Sequence, residues 1–490
     1  LITALTLALG LGACSKNRAP KKTNAPNAII AHDPGTAVVD PELVDMKGDL
    51  ANAFVPADQA SDLLVRLQLS ADTIPDAPRP AINLMLVVDT SGSMEGDAIV
   101  DAREAAAALV DQLEPGDRFG LVVFHSKAEV LVPSTHVDED SLPDIRERVK
   151  RMQARGTTDL AGGLSNALQQ IGGAMSADGI NRVVLLSDGV PNDPAPIQSL
   201  AQNARNMGVS ITALGLGLEY DETLLSQVAQ TSGGSFHFVE SSTEVAAVFR
   251  DEVLRLERIA AANTSLTLRP GPGVSVVEII GHPFSVAGDR STMIHPGDIA
   301  EGESRDVFVR LQVSAHVDRA PVELLDAVFG FDDTVNGSGR HERDLYVSAR
   351  ATSDQTQLER GRAHAIELSS ERARAAAAIV DAIALSRSGR LGEARNVLDQ
   401  AETRARTLAD EHEDEDLRVQ AEEMVELRAA LPAVAQTPPP AIAAGGAGNG
   451  PTGGQDAVAP VPMAPEPFPE SAPSTVRRSH GKAMRRLQGH

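Results

Sequence analysis

The chain has 490 residues, a formal net charge of −24 at pH 7, and 42% apolar residues, of which few are aromatic and none is tryptophan. That length accommodates two to four domains at about 100–200 residues each, with cores filled by Leu, Val, Ile and Ala. The acidic balance excludes a general nucleic-acid binder, which needs a basic face, and a single cysteine excludes an intramolecular disulfide.

Residues 1–13 are apolar but too few to span a bilayer, and they read as a signal-peptide core ending in small residues. Leu11-Gly12-Ala13-Cys14 resembles a bacterial lipobox, with a basic leader expected ahead of Leu1. On that reading residues 1–14 are a lipoprotein signal and Cys14 carries the lipid. Ser15, in place of a retaining Asp, favours the outer membrane. The expected location is therefore the bacterial cell envelope, lipid-anchored and facing the periplasm or the surface; the alternative is a buried strand with a chance cysteine. Residues 15–50, rich in Pro, Asn, Ala and Lys, read as a flexible tether. Within 51–80, Val65, Leu67 and Leu69 alternate with Arg66 and Gln68 as a half-buried strand.

From 81 to 261 strands and helices alternate. Strands are predicted at 82–89, 118–124, 130–133, 182–187, 210–216 and 235–240, and helices at 97–113, 141–152, 160–172, 197–207, 222–230 and 243–257. Such alternation implies an α/β fold, a doubly wound, mostly parallel, Rossmann-like sheet covered by helices. The apolar run 84–88 suits a strand buried on both faces. It stops at Asp89, and Ser91 and Ser93 follow at intervals of two, with Gly92 allowing a tight path. A carboxylate and hydroxyls at the carboxyl end of a parallel strand suit a hard divalent cation. By itself this short run also fits an ordinary turn or helix cap.

Two further stretches stand in order behind it. Gly156-Thr157-Thr158-Asp159-Leu160-Ala161-Gly162-Gly163-Leu164 is a loop entering a helix, and Val183-Val184-Leu185-Leu186-Ser187-Asp188-Gly189 is a second buried strand ending in a carboxylate. Together the three resemble the metal-ion-dependent adhesion site of the von Willebrand factor A family, seen in integrin inserted domains and bacterial surface proteins. The resemblance implies Asp89, Ser91, Ser93, Thr158 and Asp188 as metal ligands. Two positions depart from the commonest pattern: Thr157 replaces a glycine and Ser187 a threonine.

Beyond 262 the helical period gives way to short strands between Gly/Pro turns, and residues 262–352 read as an antiparallel β-sandwich. Residues 309–315 nearly repeat 65–71, so either two amphipathic strands are alike by chance or the early strand (51–80) joins the late sandwich. Resemblance to inter-alpha-trypsin inhibitor heavy chains favours the second. Residues 353–431 are Ala/Glu/Arg/Leu-rich and predict a C-terminal helical segment, a hairpin plus a third helix. The acidic run 410–416 reads as a solvated helix junction, because it lacks calcium-loop spacing. Residues 432–475 read as a Pro/Ala/Gly disordered linker. Residues 476–490 are a basic tail, either solvated or docked on an acidic surface.

An all-oxygen ligand set points to Mg²⁺ first, with Mn²⁺ or Ca²⁺ as alternatives, rather than Zn²⁺. The family resemblance implies a protein ligand that offers Asp or Glu to the metal. No phosphate loop, H-E-x-x-H or nucleophile elbow is present in the sequence, so no enzyme is expected. The expected function is a metal-dependent adhesion lipoprotein; the alternative is an envelope assembly scaffold whose metal is structural.

Overall fold

In the computed structural model, which describes residues 43–73, 79–176, 179–217, 220–431 and 472–489, the chain enters as β1 (Val44–Leu50), β2 (Phe54–Pro56) and β3 (Ser61–Ala71). Cys14 and nearly all of the 432–475 linker lie outside those residues. The expectation of a tether up to residue 50 is corrected at its end. Val44 and Met46 are buried, while Asp45 and Lys47 face out. Gly48 and Asp49 interrupt the alternation, which hides the strand in the sequence.

The next segment alternates β4 (Ile82–Asp89), α1 (Asp97–Val110), β5 (Arg118–Phe124), β6 (Ala128–His136), α2 (Leu142–Val149), α3 (Leu160–Gly172), β7 (Ile180–Ser187), α4 (Ile197–Asn206), β8 (Ser210–Leu216), α5 (Glu222–Ser232), β9 (Phe236–Val239) and α6 (Val245–Leu256). The sheet order is β6-β5-β4-β7-β8-β9, with only β6 antiparallel to its neighbour. All eight residues of β4 are buried, and the period of two divides them between two cores. Leu84, Leu86 and Val88 pack with α1 and α6 residues such as Leu109 and Phe249. Met85 and Val87 pack with α3–α5 residues such as Leu164 and Val228. Each such side chain contributes roughly 1.5–3 kcal/mol by burial, so the apolar run fixes β4 at the centre. After β4 the chain builds outward through β5 and β6, then returns to β4's other flank as β7. The sheet therefore changes direction between β4 and β7, where folds of this kind open a ligand crevice.

From α6 the chain passes directly into β10 (Ile259–Pro270), followed by β11 (Val274–Ile279), β12 (Thr292–Ile294), β13 (Ile299–Ala300), β14 (Ser304–Val313), β15 (Pro321–Asp333) and β16 (Gly339–Thr352). One sheet runs β1-β3-β14-β11 and the other β12-β10-β15-β16-β2, with β13 beside β10. The two near-identical segments of the sequence are partner strands, with Val65 opposite Val309. Leu67, Leu69, Val309 and Leu311 of one sheet share a core with Leu266, Leu268, Phe329 and Phe331 of the other. The helical segment is α7 (Gln355–Arg360), α8 (His364–Arg387), α9 (Leu391–His412) and α10 (Glu415–Ala430). The acidic junction before α10 is less solvated than expected. Asp414 is buried, accepts the Leu417 N–H at 3.0 Å as a helix cap, and meets Arg372 at 2.7 Å.

The basic tail is α11 (Ala472–Leu487). Of its two sequence readings, the structure shows docking on the protein's own acidic surface. Val476 and Ala483 join the α8–α10 core, and Met484 joins the β4–α5 side of the sheet. Gly481 lies so close to β9 that a Cβ there would stand 2.7 Å from Phe238 Cβ. A helix-interior glycine costs about 1 kcal/mol relative to Ala; here it admits the close packing. Arg478 pairs with Glu240 at 2.6 Å, and Lys482 and Arg486 both reach Glu423, at 2.9 and 2.6 Å. Among the described residues no helix is long and apolar enough to cross a membrane.

Candidate metal centre

Asp89 ends β4 and Asp188 follows β7, so adjacent parallel strands deliver two carboxylates to the crevice side by side. After Asp89 the chain turns through a short 3-10 helix at Gly92–Met94. The Ser91 N–H donates to Asp89 Oδ1 at 2.9 Å, which fixes the turn. Ser91 and Ser93 stand with their Oγ atoms 2.9 Å apart, and Ser93 Oγ donates to Asp188 Oδ1 at 2.9 Å. Thr158 arrives on the loop before α3. That loop is held to the first by the Gly92 N–H donating to the Gly156 carbonyl at 3.0 Å and the Arg155 N–H to the Thr90 carbonyl at 2.7 Å.

Convergence is clearest at Gly189. A Cβ there would lie 3.4 Å from Thr158 Oγ1, 3.7 Å from Ser93 Oγ and 4.0 Å from Asp89 Oδ2. Oxygen atoms from two of the three sequence segments thus face one small space beside the glycine of the third. The space has a dry floor and an open rim, since Asp89 is fully buried and Ser93 is exposed. Burial pushes the Asp89 carboxyl above its ordinary value, against hydrogen bonds from Ser91 and Ser187 that pull it down. Among the described residues no cationic side chain pairs with Asp89. Two carboxylates and three hydroxyls fit a hard divalent cation, whose charge the carboxylates balance. Among the described residues no group of three or more His, Cys, Asp or Glu side chains forms a metal site of another kind.

Several residues outside the expected ligand set support the site. Ser187 Oγ donates to Asp89 Oδ2 at 2.9 Å, holding the carboxylate from below; its place directly before Asp188 was the available signal. Gly156 has a φ of 74°, and a Cβ there would fall 2.3 Å from Ser126 Oγ, so only glycine carries the loop past β5. Thr157, the departure from pattern, is absorbed locally: its N–H donates to Ser126 Oγ at 3.1 Å and its hydroxyl accepts from Asn192 at 3.1 Å. Neither Ser126 nor Asn192 stands in a motif, so folding alone reveals them. His237 on β9 and Glu240, the residue just after that strand, do not form a pair. His237 faces Glu252 of α6 at 3.8 Å, while Glu240 meets Arg478.

Comparison with known proteins agrees with this architecture. The von Willebrand factor type A domain model matches residues 83–251. A UPF0353 protein of Mycolicibacterium gilvum is 30% identical over 42% of this chain and 70% of its own length. An uncharacterized protein of Synechocystis sp. is 27% identical over 42% of this chain and 49% of its own length. The chain thus spans about half the length of the first curated relatives it matches. Among solved structures, a von Willebrand factor type A protein from Catenulispora acidiphila superposes with a TM-score of 0.63 at 19% identity, covering 79% of this chain and 89% of that one. At that identity the likeness is one of fold, and its share of the chain extends well beyond residues 83–251. With a doubly wound sheet, a two-carboxylate crevice at its switch point and these relatives, the chain belongs to the von Willebrand factor type A domain family.

Proposed function

We propose that this protein is a non-catalytic, metal-dependent protein-binding module of the bacterial cell envelope, anchored through lipid on Cys14. In this reading the two-sheet unit is a β-sandwich platform, and the helical segment braces the metal-binding domain against it. The convergence of Asp89, Ser93 and Thr158 oxygens beside Gly189 is the observation that carries the proposal. A divalent cation bound there, Mg²⁺ in the first instance, supplies a coordination position for an Asp or Glu of a partner protein. The chain's own residues set the conditions. Asp89 is held from above by Ser91 and from below by Ser187, so its carboxylate is positioned before any metal arrives. Val190, 59% exposed on the loop after Asp188, gives the partner an apolar contact at the rim.

Calorimetry on the full chain is expected to show one Mg²⁺ or Mn²⁺ site, lost in Asp89→Ala. Pull-down of envelope proteins is expected to succeed with Mg²⁺ and fail with chelator. Equal metal binding by the variant would move the site elsewhere. Metal binding that raises stability but captures no partner would leave the structural-scaffold reading instead.

A further inference from the structure

Two clefts lie at the opposite edge of the sheet, where the metal-binding domain meets the two-sheet unit. A cleft of about 530 Å³ opens between α4, the end of α5 and residues 293–298, and a neighbouring cleft of about 650 Å³ continues from it; Arg205 lines both. Volumes of this size suit small ligands.

Most of the guanidiniums around the two clefts are held in ion pairs. Arg182 is held by Asp298 at 2.7 Å, and Arg255 and Arg305 share Glu303 at 3.1 and 2.6 Å. Buried Glu252 is the third acid; against the upward push of burial, His237 and the charges of Arg182 and Arg255 hold its carboxyl below the ordinary range. Arg340 meets Asp332 at 3.1 Å beside Asp333 in the neighbouring cleft, so carboxylates match guanidiniums in number, and Arg205 differs from the other four guanidiniums in its geometry. Its hydrogen bond goes to the Thr231 carbonyl at 2.7 Å, and it forms no ion pair among the described residues. Burial brings it down to about 10, with Asp298 acting the other way. In a protein of net charge −24, a half-buried arginine that meets no carboxylate at ion-pair distance among the described residues can take an anion.

The rest of the lining is rich in amides. Gln198, Gln202, Gln227 and Gln230 border the cleft, and Gln488, just beyond α11, has both amide atoms shielded from solvent without a hydrogen-bond partner. His295 donates from Nδ1 to the Thr264 carbonyl at 2.9 Å, leaving Nε2 as an acceptor. Side chains that both donate and accept suit hydroxyl groups.

We propose that this cleft binds a small hydroxylated anion, a sugar phosphate or a sugar acid, with its oxyanion on Arg205 and its hydroxyls on the glutamine amides. Such a ligand touches α4, the two-sheet unit and the end of α11 at once, so its occupancy joins three parts of the fold.

The test is calorimetry on the full chain with glucose 6-phosphate, glucuronate, inorganic phosphate and glucose. One or both of the sugar anions are expected to bind saturably, phosphate more weakly, and neutral glucose not at all. Preference between the two anions tells a phosphate from a carboxylate ligand. Arg205→Gln is expected to weaken binding about tenfold or more, and Arg205→Lys less, because an ammonium keeps the charge but loses the fork. Metal affinity should be unchanged in both. Hydrogen exchange on the unsubstituted protein reads the same site without a variant: ligand should slow exchange in residues 197–206 and 293–298. No saturable binding up to about 10 mM, an affinity regime too weak for a built site, would overturn the proposal. So would glucose binding as well as the anions, an unaffected Arg205→Gln, or protection confined to other segments.

Discussion

Gly189 is the residue on which the metal centre turns. It has no strained backbone, and the distances from a Cβ there to Thr158, Ser93 and Asp89, 3.4 to 4.0 Å, are ordinary contacts. Alanine should therefore fit the fold while occupying the space the cation needs. For Gly189→Ala, stability without metal is expected to stay within about 0.5 kcal/mol of the parent, and Mg²⁺ affinity to fall at least about tenfold. Parallel denaturant melts and metal titrations check this, and unchanged affinity would show that the oxygens do not meet at Gly189. The contrast is Gly156, whose positive φ and closeness to Ser126 make it a requirement of the backbone instead of the ligand space.

Among the elements, α11 is the one whose role depends most on titration. His480 is buried against Phe236, with ring centroids 5.3 Å apart, and its Nδ1 has no hydrogen-bond partner. Burial pushes its imidazole down to about 4, with Glu222 opposing and Arg387 assisting. In the unfolded chain it titrates near about 6.5. Between these values the unfolded chain binds the extra proton, so this contribution rises with pH through the window and is level above it. Acidification from pH 7 to pH 5 is expected to cost the parent about 2 kcal/mol more than His480→Gln. Urea unfolding of both proteins at the two pH values measures the difference, and equal losses would mean that His480 is protonated in place. The neighbouring Arg477 donates to the Tyr220 carbonyl at 3.0 Å and lies over the Tyr220 ring, fastening the start of α11 to the loop after β8.

At the scale of the whole molecule, the α/β unit sits between β3 and β10 in sequence, and both strands belong to the two-sheet unit. The join is charged and dry: Arg182 on β7 is fully buried against Asp298. Removing one partner of such a pair costs about 3–5 kcal/mol, chiefly through the charge left behind. The two units should therefore unfold together. Scanning calorimetry of the full chain is expected to give one transition, and Mg²⁺ at about 100 times its dissociation constant to raise the stability of the whole by about 2.7 kcal/mol. Two separate transitions, with only one moved by metal, would show the units to be energetically independent.

The sequence by itself determined the α/β fold and the three segments that carry the metal-site resemblance, because their signals are local. An apolar run such as 84–88 has one stable placement, between two helical layers, and an Asp at the end of each of two such runs follows the strand direction. The reading stopped where the signal depended on a distant partner. Residues 44–50 become a strand because β3 offers an edge, with Val44 opposite Ala71. The tail's stripe of Val476, His480, Ala483 and Met484 is helical in spacing, but nothing nearby in sequence says that β9, α8 and α10 cover it. Ser126 and Asn192 support the Thr157–Thr158 loop from segments about 30 residues away on either side. Only tertiary structure sets Arg205 in a cleft with residues 293–298 and outside ion-pair distance of the described carboxylates, since ion pairing is a property of the assembled cleft and not of any stretch of chain.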